Sequence, residues 1–201
     1  MLKPFRIDTS QVTGHAMVTP SSSATLGVLP EPVIKDERIQ LVDARNRPCG
    51  SASRRLMRRF RFWHRATYVF VRNGRSELCV QRRTLTKEVF PGYHDLATGG
   101  VVGAGEAEHV AARRELAEEL GIEGVSLTPC FTFRYTDGGN FIHGSAFVVD
   151  YDGPLVLQAD EVADATWLTV EAALALEDAT PDSRVALERM LAQGWLTAGN
   201  D

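Results

Sequence analysis

The sequence predicts an α/β fold, and three observations carry that expectation. Near the middle of the chain Asn73-Gly74 separates two alternating apolar runs, residues 66–72 and 76–83, which is a strong short hairpin signal. A helix-patterned segment follows from about residue 107 to 120 and is stopped by Gly121. Beyond it, the strand-like runs 126–135 and 141–150 flank the turn Asp137-Gly-Gly-Asn140, and two more helix signals close the chain. At 201 residues the chain can bury a full core as one domain plus appendages.

Taken in order, residues 1–36 read as a flexible N-terminal extension. Ser21-Ser22-Ser23, with Pro20, Pro30 and Pro32 nearby, leaves little apolar periodicity there. The domain is expected to run from residue 37 to 198. Ile39-Gln-Leu-Val42 reads as a strand, Asp43 to Arg47 as a turn, and 49–53 as the returning strand. Residues 54–65 hold six arginines with Phe60, Phe62 and Trp63 interleaved. That run has two readings: an electrostatic landing for phosphate or single-stranded RNA, or a short surface helix with Leu56, Met57, Phe60 and Trp63 turned inward. Helical spacing of the apolar residues favours the second. The hairpin comes next, then a loop through Pro91-Gly92 in which Arg83 and Lys87 carry positive charge.

After the central helix, Phe131, Phe133 and Tyr135 share one strand face at period two, a pattern of core packing or of base stacking. Asp160-Glu161 precedes a strand at 163–168. Thr169 caps a helix to about Leu176, and Thr180-Pro181 opens a last helix that Gly194 ends.

Composition narrows the class. Hydrophobic residues at 44% and charged residues at 24% are ordinary for a soluble globular protein. A net charge of −4 argues against a globally basic nucleic-acid binder, while leaving room for a local patch. Three cysteines without metal-ligand spacing fit reduced thiols in a cytoplasmic protein. No run of 18 apolar residues could span a membrane, and the N-terminus lacks the apolar core of a secretory signal.

The central helix carries the chemistry. At about 100° per residue, Glu108, Glu115, Glu118 and Glu119 fall within an arc of roughly 100°. Val110, Leu116, Ala117 and Leu120 lie opposite and are expected to pack on the core. Carboxylates so crowded repel one another, by a few tenths of a kcal/mol for a like-charged i,i+4 pair alone. A hard divalent cation, Mg²⁺ or Mn²⁺, suits such an oxygen-rich cluster and commonly arrives with substrate phosphates. Glu106 stands about two helical turns before Arg114, so its loop can fold back to pair with that guanidinium, orienting the helix and keeping Arg114 from neutralising the other acids. Gly99 and Gly100 allow close backbone approach, with a carbonyl as a candidate ligand.

Gly100, Glu106, Arg114, Glu115, Leu116, Glu118, Glu119, Gly121 and Ile122 match every fixed position of the Nudix hydrolase signature, G-x5-E-x7-R-E-U-x-E-E-x-G-U, with U aliphatic. A chance match in a chain of this length is on the order of one in ten million. The stretch therefore resembles the Nudix superfamily. The resemblance implies an αβα sandwich with a mixed sheet between helices, and a loop–helix–loop metal site. It also implies hydrolysis of a nucleoside diphosphate linked to another moiety, X, or of a related organic pyrophosphate. It makes Glu115, Glu118 and Glu119 the catalytic and metal-binding acids, with Gly99 as a further ligand and Glu115 as the general base by analogy. Gly100, Glu106, Arg114 and Gly121 would support the site, and Glu161 is a candidate auxiliary acid.

A narrower resemblance, to isopentenyl-diphosphate isomerase and the Nudix hydrolases near it, rests on His64-Arg-Ala, Gln81-Arg-Arg, Lys87 and Phe90-Pro-Gly. It implies that Arg83 and Lys87 hold a diphosphate, and it draws attention to His64. The isomerase's cysteine would sit at Gly99 and its metal-binding histidine at Val101, so the hydrolase acids are complete where the isomerase chemistry is missing. The expectation is a metal-dependent hydrolase of a small-molecule pyrophosphate. An isomerase-like enzyme, a ligand-sensing module and removal of pyrophosphate from RNA ends are the alternatives. Monomer and homodimer are equally compatible with the sequence.

Overall fold

The run Thr67-Tyr-Val-Phe-Val71 is apolar at nearly every position, the pattern of a strand covered on both faces. In the computed structural model, which describes residues 37–197, it forms the centre of β3 (His64–Arg72). Tyr68 and Phe70 point into a cluster with Leu78, Val80, Leu96, Leu187 and Met190. Val69 and Val71 point the other way, to Cys79, Leu116, Leu120, Ile122 and Phe147. The period-two alternation of one strand thus supplies both cores of an α/β sandwich.

The elements run β1 (Arg38–Val42), β2 (Pro48–Ser53), α1 (Arg54–Phe60), β3, β4 (Leu78–Arg83), β5 (His94–Asp95), α2 (Glu108–Leu120), β6 (Thr128–Thr136), β7 (Phe141–Asp150), β8 (Val162–Leu168), α3 (Val170–Ala175) and α4 (Pro181–Ala192). They build one mixed eight-stranded sheet in the order β2-β1-β3-β4-β5. β7 pairs with β3 in parallel from His64↔Ile142 to Arg72↔Asp150, and carries β6 antiparallel on its other side. β8 pairs antiparallel with β4. α2 covers one face through Leu116 and Leu120, and α3 and α4 cover the other through Ala173, Leu187 and Met190. The mixed sheet between helices is the α/β architecture expected from the sequence.

Several local expectations are corrected. The hairpin between β3 and β4 is not closed by Asn73-Gly74 alone. The Ser76 N–H donates to the Asn73 carbonyl, Ser76 takes φ 62°, and Asn73 Oδ1 accepts from the N–H groups of Arg75 and Glu77. This is a three-residue loop ending in a left-handed residue, which the side chain of Asn73 stabilises. In α1 only Met57 is turned inward. Leu56 is 45% and Phe60 58% exposed, and Phe60 stacks on Phe62 with ring centroids 5.7 Å apart. Trp63 lies beyond the helix, against Phe141 and His143. Phe133 and Tyr135 are buried in the core, with Phe131 packed at its edge. The flexible extension expected over residues 1–36 lies outside the described residues, as does the expected domain end at residue 198.

Candidate active site

α2 departs from the amphipathic plan in one respect that matters. Ala111, Ala112, Leu116 and Leu120 are buried as apolar residues should be, but so are Glu115 and Glu119, at 9% and 7% exposure. Val110, expected on the core side, is 47% exposed instead. The inward face is therefore rotated toward the glutamates. Gly121 ends the helix at φ 67° and donates to the Ala117 carbonyl. A Cβ on Gly121 would lie 2.7 Å from the Cβ of Val156, so only glycine fits there as the backbone stands.

Glu115, Glu118 and Glu119 line a cleft of about 740 Å³ together with Gly99, Gly100, Glu106 and Arg114. Glu108 does not join them. It sits two helical turns before Glu115 and pairs with Arg65 at 3.4 Å, beside a different groove. The Gly99–Gly100 backbone is held against β3 by the Thr67 N–H, which donates to the Gly100 carbonyl at 2.9 Å. Both glycines are pressed on one side. A Cβ at Gly99 would stand 2.0 Å from the Thr67 carbonyl oxygen, and one at Gly100 would stand 2.5 Å from Glu115 Oε1.

Burial pushes the carboxyl of Glu119 up to about 8; the charges of Glu115 and Asp95 add to the shift, and Lys87 opposes it. Burial also raises Glu115, against the pull of Arg114. Arg114 grips Glu106 with two nitrogens, at 3.0 and 3.2 Å, and the Gly103 N–H donates to the same carboxylate at 2.9 Å. Burial alone would raise Glu106, but these donors hold it below its ordinary range. The sequence suggests that the Glu106 pair keeps Arg114 off the other acids. The geometry corrects this, since Arg114 Nη1 also donates to Glu115 Oε1 at 2.8 Å and to Glu118 Oε2 at 3.1 Å.

The same cleft is also lined by Arg83, Lys87 and Glu161, with Arg54, Arg58, Glu88 and Asp160. Lys87 Nζ is ion-paired with Glu161, so the candidate phosphate ligand and the candidate auxiliary acid hold each other. Arg83 pairs with Asp95 at 2.6 Å and donates to the carbonyls of Val89 and Phe90, which ties down the loop that presents Lys87. His64 is buried outside this cleft, in a smaller cavity behind Gly99 and Gly100, with its Nδ1 3.0 Å from the Phe62 carbonyl. Asp95 is a functional candidate that the sequence does not single out, whereas Arg54 and Arg58 belong to the arginine run read as a phosphate landing or a surface helix.

A NUDIX domain model matches residues 62–190. The chain belongs to the Nudix family. The Nudix hydrolase PA4841 of Pseudomonas aeruginosa is 44% identical over 160 residues, covering 77% of this chain and 94% of the relative. The Nudix hydrolase YfcD of Escherichia coli K12 is 42% identical over 152 residues, covering 75% and 84%. Among solved structures, DR0079 of Deinococcus radiodurans is similar at TM-score 0.67 and 30% identity, over 76% of this chain and 98% of that one. Their names carry no substrate.

Nudix hydrolases generally use divalent cations such as Mg²⁺ or Mn²⁺. The donor chemistry here fits a hard cation: two buried carboxylates whose ionisation burial opposes, a third half-exposed, and the adjoining backbone of Gly99. Among the described residues no three acidic, histidine or cysteine side chains stand grouped as a metal cage. Arg114 Nη1 meets one oxygen each of Glu115 and Glu118. No helix of the described residues is long and apolar enough to cross a membrane.

Proposed function

We propose that this Nudix hydrolase cleaves the diphosphate linkage of a nucleoside diphosphate derivative or a related organic pyrophosphate, with Mg²⁺ or Mn²⁺ held by Glu115, Glu118, Glu119 and the Gly99 carbonyl. The observation that carries this reading is the burial of Glu115 and Glu119 at a cleft that Arg54, Arg58, Arg83 and Lys87 also line. Water attacks one phosphorus, the anhydride P–O bond breaks, and the second phosphate leaves with the bridging oxygen. When bound, the cation supplies the positive charge that acidifies the water and neutralises the oxygens of the anhydride.

The protein's own groups do the rest. A glutamate accepts the proton of the attacking water, and family analogy points to Glu115. Arg114, anchored on Glu106, fixes the direction of Glu115 and Glu118. Lys87 offers its ammonium to a phosphate, exchanging it for the carboxylate of Glu161. Gly99 argues against an isomerase of allylic diphosphates. A cysteine there would put its Cβ 2.0 Å from the Thr67 carbonyl oxygen.

The test is a phosphate-release screen with Mg²⁺ or Mn²⁺ across nucleoside di- and triphosphates, dinucleotides, sugar nucleotides and prenyl diphosphates. Glu119→Gln should lower turnover of whichever compound reacts on the order of a thousandfold, several kcal/mol of transition-state stabilisation. Unchanged turnover in the purified variant would defeat the assignment.

A further inference from the structure

The arginine run has an inner and an outer half. On α1, Arg54 and Arg58 are one turn apart and both line the cleft, whereas Arg55 and Arg59 are exposed away from it. Behind the cleft lies the second cavity, of about 140 Å³, walled by His64, Tyr68, Asp95 and Asp182 among others. Five residues border both spaces: Arg54, Arg58, Arg83, Gly99 and Gly100. Three guanidiniums therefore stand at the passage between them, beside the backbone that adjoins the catalytic acids.

Two features show that the charges of Arg54 and Arg58 are only loosely matched within the protein, whereas Arg83 is held on Asp95 at 2.6 Å. Arg54 Nε is buried without a hydrogen-bond partner, the one such side-chain atom among the described residues. The carboxylates that Arg54 and Arg58 do meet, Glu37 and Glu88, lie on the exposed outer rim. Exposed pairs of this kind contribute little and exchange readily. Burial, together with the charges of Arg54 and Arg83, holds the Arg58 guanidinium below its usual value despite Glu88. An arriving phosphate would meet the planar donors of Arg54 and Arg58, with Arg83 held beside them by Asp95 and the carbonyls of Val89 and Phe90.

We infer that Arg54 and Arg58 form, with Arg83, an anion subsite that holds the phosphate next to X, the one that water does not attack. The inference rests on the hydrolase reading, and it orients the substrate: the attacked phosphorus faces the glutamates, the X-side phosphate sits at the passage, and X points into the inner cavity. Arg54 and Arg58 are then binding residues supplied by a helix outside the Nudix signature.

The probe is inorganic pyrophosphate, titrated calorimetrically into the full chain in EDTA, so that neither metal nor turnover enters the measurement. Arg54→Gln and Arg58→Gln should each weaken binding about tenfold. The double variant Arg55→Gln/Arg59→Gln removes two charges from the same helix and should stay within about twofold, because exposed charges act only through a screened field. Arg54→Lys and Arg58→Lys keep charge and helix while losing the planar fork, and should fall between wild type and the glutamine variants. They also decide the matter if a glutamine variant does not fold, since wild-type affinity in both would overturn the subsite. Equal loss from the inner and outer pairs, or no saturable binding to the wild type, would overturn it as well. Arginine-dependent binding without hydrolysis of any screened compound would leave the subsite standing and remove the hydrolase reading instead.

Discussion

Gly99 and Gly100 are neighbours in sequence, yet alanine should affect them in opposite ways. At Gly100 the new methyl would lie 2.5 Å from Glu115 Oε1 and 2.7 Å from its carboxyl carbon. Ordinary van der Waals contact needs about 3.5 Å or more, so the carboxylate must retreat by about 1 Å. The obstacle is the far end of a flexible side chain, so the fold yields at small cost. A misplacement of about 1 Å among reacting groups lowers turnover on the order of a hundredfold. At Gly99 the methyl would stand 2.0 Å from the Thr67 carbonyl oxygen, which is backbone of the central strand and cannot rotate away. Overpacking of that kind costs about 1–3 kcal/mol, or a melting temperature lower by about 3–10 °C in a domain of this size. The assay pairs a thermal melt with phosphate release on the best compound from the screen. Gly100→Ala should melt within about 3 °C of wild type and lose activity. Gly99→Ala should melt early. Wild-type turnover in Gly100→Ala, or a wild-type melt in Gly99→Ala, would refute the geometry on which both arguments stand.

Other consequences are open to direct measurement. Arg114→Lys keeps the charge but loses the two-nitrogen grip on Glu106 and should lower stability by about 1–2 kcal/mol in urea titrations; an unchanged midpoint would show that the fork carries nothing. His64 is buried, and burial lowers its pKa below the ordinary 6.5. Its contribution is therefore complete above pH 6.5 and is lost as pH falls through the lower folded value, because the unfolded chain binds the extra proton. His64→Gln should flatten the decline of urea stability between about pH 7.5 and 5.5, and an identical slope in the variant would count against this. Of the three cysteines, Cys49 is exposed, while burial pushes Cys79 up to about 12 and Cys130 up to about 11. A thiol reagent at neutral pH should label Cys49 quickly and Cys79 only on unfolding; rapid labelling of Cys79 in the native protein would contradict its burial.

Much of this architecture can be read from residue patterns, and the places where it cannot share one cause. β3 announces itself as a nearly unbroken apolar run, β7 as the strand returning after Asp137-Gly-Gly-Asn140, α2 by its period and Gly121, and α3 and α4 by Thr169 and Thr180-Pro181. The two-residue β5, paired with β4, and the single bridges Ala66↔Val101 and Val69↔Thr98 to β3 carry no such mark, because loop backbone is drawn against the sheet by tertiary packing. The turned-out Val110 has a related explanation. A helical wheel assigns carboxylates to solvent, and α2 instead buries Glu115 and Glu119. A departure from local preference of that sort is expected at functional sites. The spacing of the acids and of Glu106 and Arg114 was legible. The partners of Arg83 and Lys87 were not, since Asp95 and Glu161 are joined to them only by the fold.

The parallel pairing of His64–Arg72 with Phe141–Asp150 also bears on how the chain is made. During synthesis the first of these strands emerges long before the second, and the segment between them contains the acid-bearing helix. Until residue 150 is free of the ribosome, a run of valine and aromatic side chains waits with an unfilled edge, open to pairing with any other nascent copy. Fragments ending before Phe141 should accordingly precipitate, and the last third of the polypeptide acts as the built-in guardian of the middle.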